Sequence, residues 1–170
     1  LHGPVLDEDL DYYLGLYNTW SSYGVETKGI VVAYTSVYGH TKQVAQQLAS
    51  RLEEAGCERV VLVDIAREDM HESIEDAFRH DTLVCCTTTY YGKVFPAMQQ
   101  FIDHLVERKF QKRRVAFVQN GSWGPMAAKF MRNSFEACAD IEFVEPIVTV
   151  KGSADAACDA MLDKLVDALV

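Results

Sequence analysis

The chain has 170 residues, 49% of them hydrophobic and 24% charged, which favours one globular domain with a short appendage. Its formal net charge of −9 argues against a nucleic-acid-binding surface, which needs clustered Lys and Arg to neutralise phosphates. No apolar run reaches the roughly 18 residues of a membrane span. The cysteines are odd in number and lack a CxxC spacing. This favours reduced thiols in the cytoplasm over disulfides or a zinc site.

Residues 1–27 differ from the rest of the chain because they contain acidic residues, no Lys or Arg, and crowded aromatic residues between Tyr12 and Tyr23. Leu10, Leu14 and Tyr17 have the spacing of a short amphipathic helix, and the run 21–24 predicts a linker. Since the chain starts with Leu1 rather than Met, we expect an internal cut. We therefore predict a leader or linker over 1–27 and a separate domain over 28–170.

From residue 28 onwards, apolar strand patterns alternate with helical ones. The strand runs are continuous and rich in β-branched residues, as in a parallel sheet buried on both faces; they cover 29–34, 59–63, 82–86, 114–118 and 146–150. Each is followed by apolar residues at helical spacing; these are Val44, Leu48 and Leu52, then Ile74 and Phe78, then Met98 to Val106, then Ala127, Met131, Phe135 and Cys138, then Ala157, Met161, Leu165 and Leu169. Alternating strand–helix pairs predict an α/β fold with a doubly wound, five-stranded parallel sheet of order 2-1-3-4-5 between two helical layers.

A basic stretch interrupts the acidic composition at Arg108, Lys109, Lys112, Arg113 and Arg114. Cations are favourable near the negative pole of a helix, at its C-terminus. We interpret this stretch as a solvated helix end rather than a phosphate-binding surface.

Ligands of doubly wound sheets bind beyond the carboxyl ends of the strands, so the loops at those ends carry the functional prediction. The loop 35–41 after the first strand is rich in hydroxyl groups and leads directly into a helix. Backbone N–H groups at a helix N-terminus favour a phosphate. The loop has no Lys or Arg and matches neither the P-loop nor the dinucleotide fingerprint, so we expect neutral donors around a mononucleotide phosphate. The alternative is a plain Ser/Thr helix cap.

Two further loops place aromatic residues among turn-forming residues. The loop 87–96 contains adjacent tyrosines, and the loop 119–125 contains Trp123 between glycines. Exposing large aromatic rings is costly unless they cover a flat partner, which indicates a planar heterocycle. The alternative is that these rings fold back onto the core.

These loops together resemble the flavodoxin family. The segment 36–41 (SVYGHT) is similar to that family's S-x-T-G-N-T phosphate loop, with Tyr38 and His40 as departures that alter the donor set, so Ser36, Gly39 and Thr41 are the firmer phosphate contacts. The segments 87–96 and 120–129 look like the S-P-T-Y…G-x-F-P and N-G-S-W-A-P-x-A-A-K segments of flavodiiron proteins (A-type flavoproteins). The leader, from His2-Gly3-Pro4 to Trp20, resembles the end of their β-lactamase-like diiron domain.

The resemblance implies an FMN-binding, electron-transferring domain of a flavodiiron-type O₂ or NO reductase. An external donor such as rubredoxin or an NAD(P)H-linked reductase would supply electrons to FMN, and a diiron site absent from this chain would receive them. The isolated domain would then be an electron carrier rather than a complete enzyme, and the resemblance also implies a homodimer. The implied cofactor-binding residues are Ser36, Val37, Tyr38, Gly39, His40, Thr41, Thr88, Thr89, Tyr90, Tyr91, Gly92, Asn120, Gly121, Ser122, Trp123 and Gly124.

We predict no metal in this chain, because His2 lacks its iron-binding partners and the other histidines are scattered. Two rival functions remain. One is an NAD(P)H-dependent FMN or quinone reductase of the same fold, although no basic residues are placed for a 2′-phosphate. The other is a phospho-receiver, which would show paired acids after the first strand, where this chain has Thr35-Ser36.

Overall fold

The structure of the protein, a computed structural model, describes Gly3 and residues 5–170. Its elements in chain order are α1 Leu10–Ser21, β1 Thr27–Tyr34, α2 His40–Glu54, β2 Val60–Asp64, α3 Met70–Arg79, β3 His80–Tyr90, β4 Lys93–Val94, α4 Pro96–Glu107, β5 Arg113–Asn120, α5 Ala127–Phe135, β6 Ile141–Val150 and α6 Ala156–Leu169. The predicted alternation of strands and helices is confirmed.

The central sheet has the order β2-β1-β3-β5-β6, and all neighbouring pairs in that order are parallel. Counted without the two-residue β4, this is the predicted order 2-1-3-4-5. The short β4 adds an antiparallel pairing on β3 that the sequence analysis did not predict.

The strands are apolar throughout because both faces of the sheet are covered. Along β1, Ile30 and Val32 belong to the core packed under α2 and α6, while Val31 and Ala33 belong to the core packed under α3, α4 and α5. The adjacent Cys85 and Cys86 divide between the same two cores, and burial raises the pKa of both thiols far above that of an exposed cysteine.

The largest differences from the predicted ranges are in β3, β6 and α6. The strand predicted over 82–86 extends through the threonines to Tyr90, and the strand predicted from Pro146 begins at Ile141. Its register against β5 shifts between Ala116 and Val118, where Pro146 interrupts the edge-strand pairing. The buried stripe of α6 is Cys158, Leu162, Leu165, Val166 and Leu169, so the predicted positions Ala157 and Met161 lie beside it, while Leu165 and Leu169 belong to it.

The basic stretch is a solvated helix end only in its first part, where the exposed Arg108 is the C-cap of α4 and donates to the His104 carbonyl at 3.0 Å. At the start of β5 the sequence-based interpretation is wrong. Arg113 is only 3% exposed, and its guanidinium donates to the carbonyls of Tyr23 at 2.8 Å, Gly24 at 2.9 Å and Phe78. Arg114 donates to backbone carbonyls at the end of α6. The stretch therefore ties the amino-terminal edge of the sheet to the chain that enters β1 and to the neighbouring helices.

The helix predicted near Leu10 is α1, and none of its residues is buried. Tyr12, Leu14, Tyr17 and Trp20 are all exposed. His2 and Pro4, on which part of the leader resemblance depends, lie outside the described residues. Within the described part of the chain, no helix is both long and apolar enough to cross a membrane, and no group of three or more His, Cys, Asp or Glu could hold a metal ion.

Candidate functional site

A cavity of about 590 Å³ opens at the carboxyl ends of β1, β3, β5 and β6. This volume lies within the range of pockets that hold cofactors and other small molecules. The cavity is lined by Ser36, Val37, Tyr38, His40, Thr41, Thr88, Thr89, Gly92, Asn120, Gly121, Ser122, Trp123, Gly124 and Gly152.

One end of the cavity is the loop that enters α2. Gly39 precedes the helix with φ of 93°, a left-handed conformation that favours glycine, and it provides no side-chain cap for the helix N-terminus. The first N–H groups of α2 have no intrahelical acceptors, so they are available to an anion. Ser36 Oγ accepts a hydrogen bond from the Gly39 N–H at 3.0 Å, which leaves the Ser36 hydroxyl proton free to donate.

A tight hairpin forms a second side of the site. Thr89 pairs with Val94 and Tyr90 with Lys93, so the chain reverses at Tyr91 and Gly92. Both turn residues have positive φ, 49° and 72°, as a type I′ hairpin turn requires. The turn leaves Tyr91 90% exposed, with its ring edge-on to Tyr90 at a centroid distance of 4.8 Å.

The loop between β5 and α5 presents Trp123, whose side chain is fully exposed at 101% of its reference area. The base of this loop is fixed, because Thr89 Oγ1 accepts hydrogen bonds from the N–H groups of Met126 at 3.0 Å and Ala127 at 3.2 Å. A side chain at Gly121 would meet Thr89 and Pro125 at 3.2 Å, so these neighbours would have to shift by a few tenths of an ångström to admit it. The alternative that Trp123 folds back onto the core is therefore wrong.

Asn120 connects the loops beneath the cavity and is only 7% exposed. Its side-chain amide donates to the Gly152 carbonyl at 2.9 Å and to Thr41 Oγ1 at 3.4 Å, and its side-chain oxygen accepts from the Gly152 N–H at 3.1 Å. The residue thus joins the loop entering α2 to the turn that follows β6.

The structure brings together around this cavity all the predicted cofactor-binding residues except Gly39, Tyr90 and Tyr91, which lie next to it without lining it. Gly152 lines the cavity but was missed by the sequence analysis. Its signal was available, since a glycine directly after the last strand belongs to the same edge of the sheet.

The cavity lining contains no Asp, Glu, Lys or Arg. Hydroxyls, backbone amides and an uncapped helix end suit a phosphate, and the aromatic rings of Tyr38 and Trp123, 89% and 101% exposed, suit a flat heterocycle. The residues present therefore fit FMN, which combines these two parts. Fold and cavity together define a mononucleotide-binding α/β domain.

Comparisons with known proteins agree with this class. The family model described as the flavodoxin domain matches residues 31–142. The anaerobic nitric oxide reductase flavorubredoxin of Escherichia coli O1:K1 / APEC is 21% identical over 123 residues, covering 72% of this chain and 26% of that protein. The chain spans 12% to 26% of the length of the curated relatives that it matches.

Among solved structures, the rubredoxin oxygen:oxidoreductase of Desulfovibrio gigas is 15% identical, with a TM-score of 0.81 over 94% of this chain and 40% of that one. A flavodoxin from the domain Archaea is 18% identical, with a TM-score of 0.69 over 84% of this chain and 96% of that one. The chain belongs to the flavodoxin domain family, and this membership implies FMN as its cofactor.

Proposed function

We propose that this chain is the FMN-binding electron-transfer domain of a flavodiiron-type O₂ or NO reductase. It receives electrons from an external donor and passes them to a diiron site that lies outside this chain. The observation that carries the proposal is the cavity at the carboxyl edge of the sheet, which has no Asp, Glu, Lys or Arg in its lining, phosphate donors where α2 begins and exposed aromatic rings on its rim.

In this proposal the phosphate of FMN binds at residues 36–41, where Ser36, Thr41 and the first N–H groups of α2 donate to it. The ring lies near Trp123 and near Tyr90 or Tyr91. When bound, FMN supplies the electron acceptance and release that no side chain of this cavity provides. The protein's part is to orient the cofactor, and the open aromatic rim leaves one side of the site accessible to a redox partner.

We further propose that residues 1–27 are a leader that joins this domain, residues 28–170, to a preceding diiron domain. Two observations support this division. The helix α1 buries none of its own residues, so it is not part of the domain core. The Desulfovibrio protein, whose chain is much longer than a flavodoxin, matches 94% of this chain, against 84% for the archaeal flavodoxin.

The donor in this proposal is rubredoxin or an NAD(P)H-linked reductase, and the setting is the cytoplasm. The names of two similar proteins, a flavorubredoxin and a rubredoxin oxygen:oxidoreductase, support the choice of rubredoxin. The five cysteines are all free thiols, which suits a reducing compartment. A homodimer fits the same proposal.

The test is reconstitution of the purified chain with FMN, followed by desalting and an absorbance spectrum. Flavin absorbance that stays with the protein at one equivalent supports the proposal, and anaerobic mixing with reduced rubredoxin should then bleach it. A protein that retains no flavin would overturn the proposal. Bleaching of the flavin by NADPH alone, without a partner protein, would instead favour the rival FMN or quinone reductase.

A further inference from the structure

The side chain of Asn120 has its hydrogen-bonding groups occupied within the protein. The amide nitrogen has two protons, and these are directed to the Gly152 carbonyl and to Thr41 Oγ1. The side-chain oxygen accepts the Gly152 N–H. With the side chain 93% buried as well, Asn120 has no donor left for a bound cofactor.

The two partners of Asn120 belong to different loops around the cavity. Thr41 is the second residue of α2, at the proposed phosphate end. Gly152 lies beside the loop that carries Trp123, since a Cβ built on Gly152 would stand 3.7 Å from Ser122 Oγ. The backbone carbonyl of Asn120 also accepts the Thr88 hydroxyl at 3.3 Å, which adds the strand leading to the hairpin.

We propose that Asn120 is a positioning residue that couples the phosphate end of the FMN site to its ring end. Its side chain holds the α2 entry loop and the turn at 151–153 in one fixed arrangement. The side chain itself donates no hydrogen bond to the cofactor. This inference rests on the proposed function, because it assumes that the phosphate and the ring bind at these two ends.

The test compares the dissociation constants of FMN and riboflavin, which lacks the phosphate, for the wild-type chain and for Asn120→Leu. The ratio of the two constants measures what the phosphate contributes. Because three hydrogen bonds are lost, riboflavin should bind roughly 10-fold more weakly to the variant. The ratio of the riboflavin constant to the FMN constant should also fall, by roughly 3-fold or more, since the phosphate loop loses its fixed position.

A direct contact between Asn120 and the ring would weaken both ligands equally and leave the ratio unchanged, and this result would overturn the proposal. Unchanged binding of both ligands, with only a lower free energy of unfolding, would reduce Asn120 to a structural role and overturn it too. A wild-type chain that binds neither ligand would instead refute the proposed function, and this inference with it.

Asn120→Asp provides a second variant that keeps an acceptor for the Gly152 N–H but loses both donated bonds and places a carboxylate oxygen against the Gly152 carbonyl. Its riboflavin constant should exceed that of the wild type, and a value equal to the wild type would contradict the proposal. Riboflavin is the ligand of choice here because it carries no phosphate for the new carboxylate to repel. Asn133→Leu, at an exposed position of α5, is the matched control and should change neither constant.

Discussion

Replacement of Trp123 by Ala tests whether the exposed indole is a binding surface for the ring. Because the Trp123 side chain is fully exposed, it does not pack against the core. Its removal should therefore change the free energy of unfolding without FMN by less than about 0.5 kcal/mol. The free energy of FMN binding should change by much more than the free energy of unfolding. A large aromatic side chain buries about 150–250 Å² when covered, and a ring stacked on one face would cover roughly 100 Å².

At about 25 cal/mol per Å², this area corresponds to roughly 2.5 kcal/mol, or a rise of roughly 60-fold in the dissociation constant. Isothermal titration calorimetry of the apoprotein with FMN measures it. Trp20→Ala is the matched control, because Trp20 is the other tryptophan, is also exposed, and lies in α1 outside the cavity. An FMN affinity that changes less than about 3-fold in Trp123→Ala, or equally in both variants, would refute the stacking argument.

Three further changes have expected outcomes. Gly39→Ala should lower the free energy of unfolding by about 1–2 kcal/mol in urea titrations, because φ of 93° disfavours a Cβ although none of the protein would touch it; an unchanged midpoint would contradict this. Arg113→Met should cost about 3 kcal/mol or more by the same method, since five backbone carbonyls lose a charged donor, while the exposed control Lys112→Met should cost far less. Raising the pH from 8.5 to 9.5 should lower the free energy of unfolding by roughly 1 kcal/mol for each buried thiol. In this range the thiols of the unfolded chain ionise, while the raised pKa values of Cys85 and Cys86 keep the folded thiols protonated. The Cys85→Ala, Cys86→Ala double variant should show a correspondingly flatter pH profile.

Much of the fold was predictable because burial on both faces leaves a direct mark on the sequence. The runs around Val31 and Val84 are apolar without alternation, and that pattern requires helices on both sides of the sheet. The polar residues 87–90 do not carry this mark. The sequence predicts a loop there, yet Thr87 and Thr88 continue the ladder with Gln119 and Asn120 at the edge where the site forms.

The position of the site was predictable from the strand ends, and the errors in predicting its residues have a physical origin. Reading only three of the strand ends missed Gly152, whose role depends on a hydrogen bond to a residue 32 positions earlier. The burial of Arg113 could not be predicted for the same reason, since its acceptor Tyr23 lies 90 positions away along the chain. Local spacing reports which residues share a face, but it does not report which distant carbonyl will need a donor.

The strand β5 begins at Arg113 and ends at Asn120, so its two terminal residues hold opposite edges of the molecule. At about 3.3 Å per residue, these residues lie roughly 23 Å apart, well beyond the distance at which the effects of substitutions usually interact. Mutations at the two edges should therefore accumulate independently.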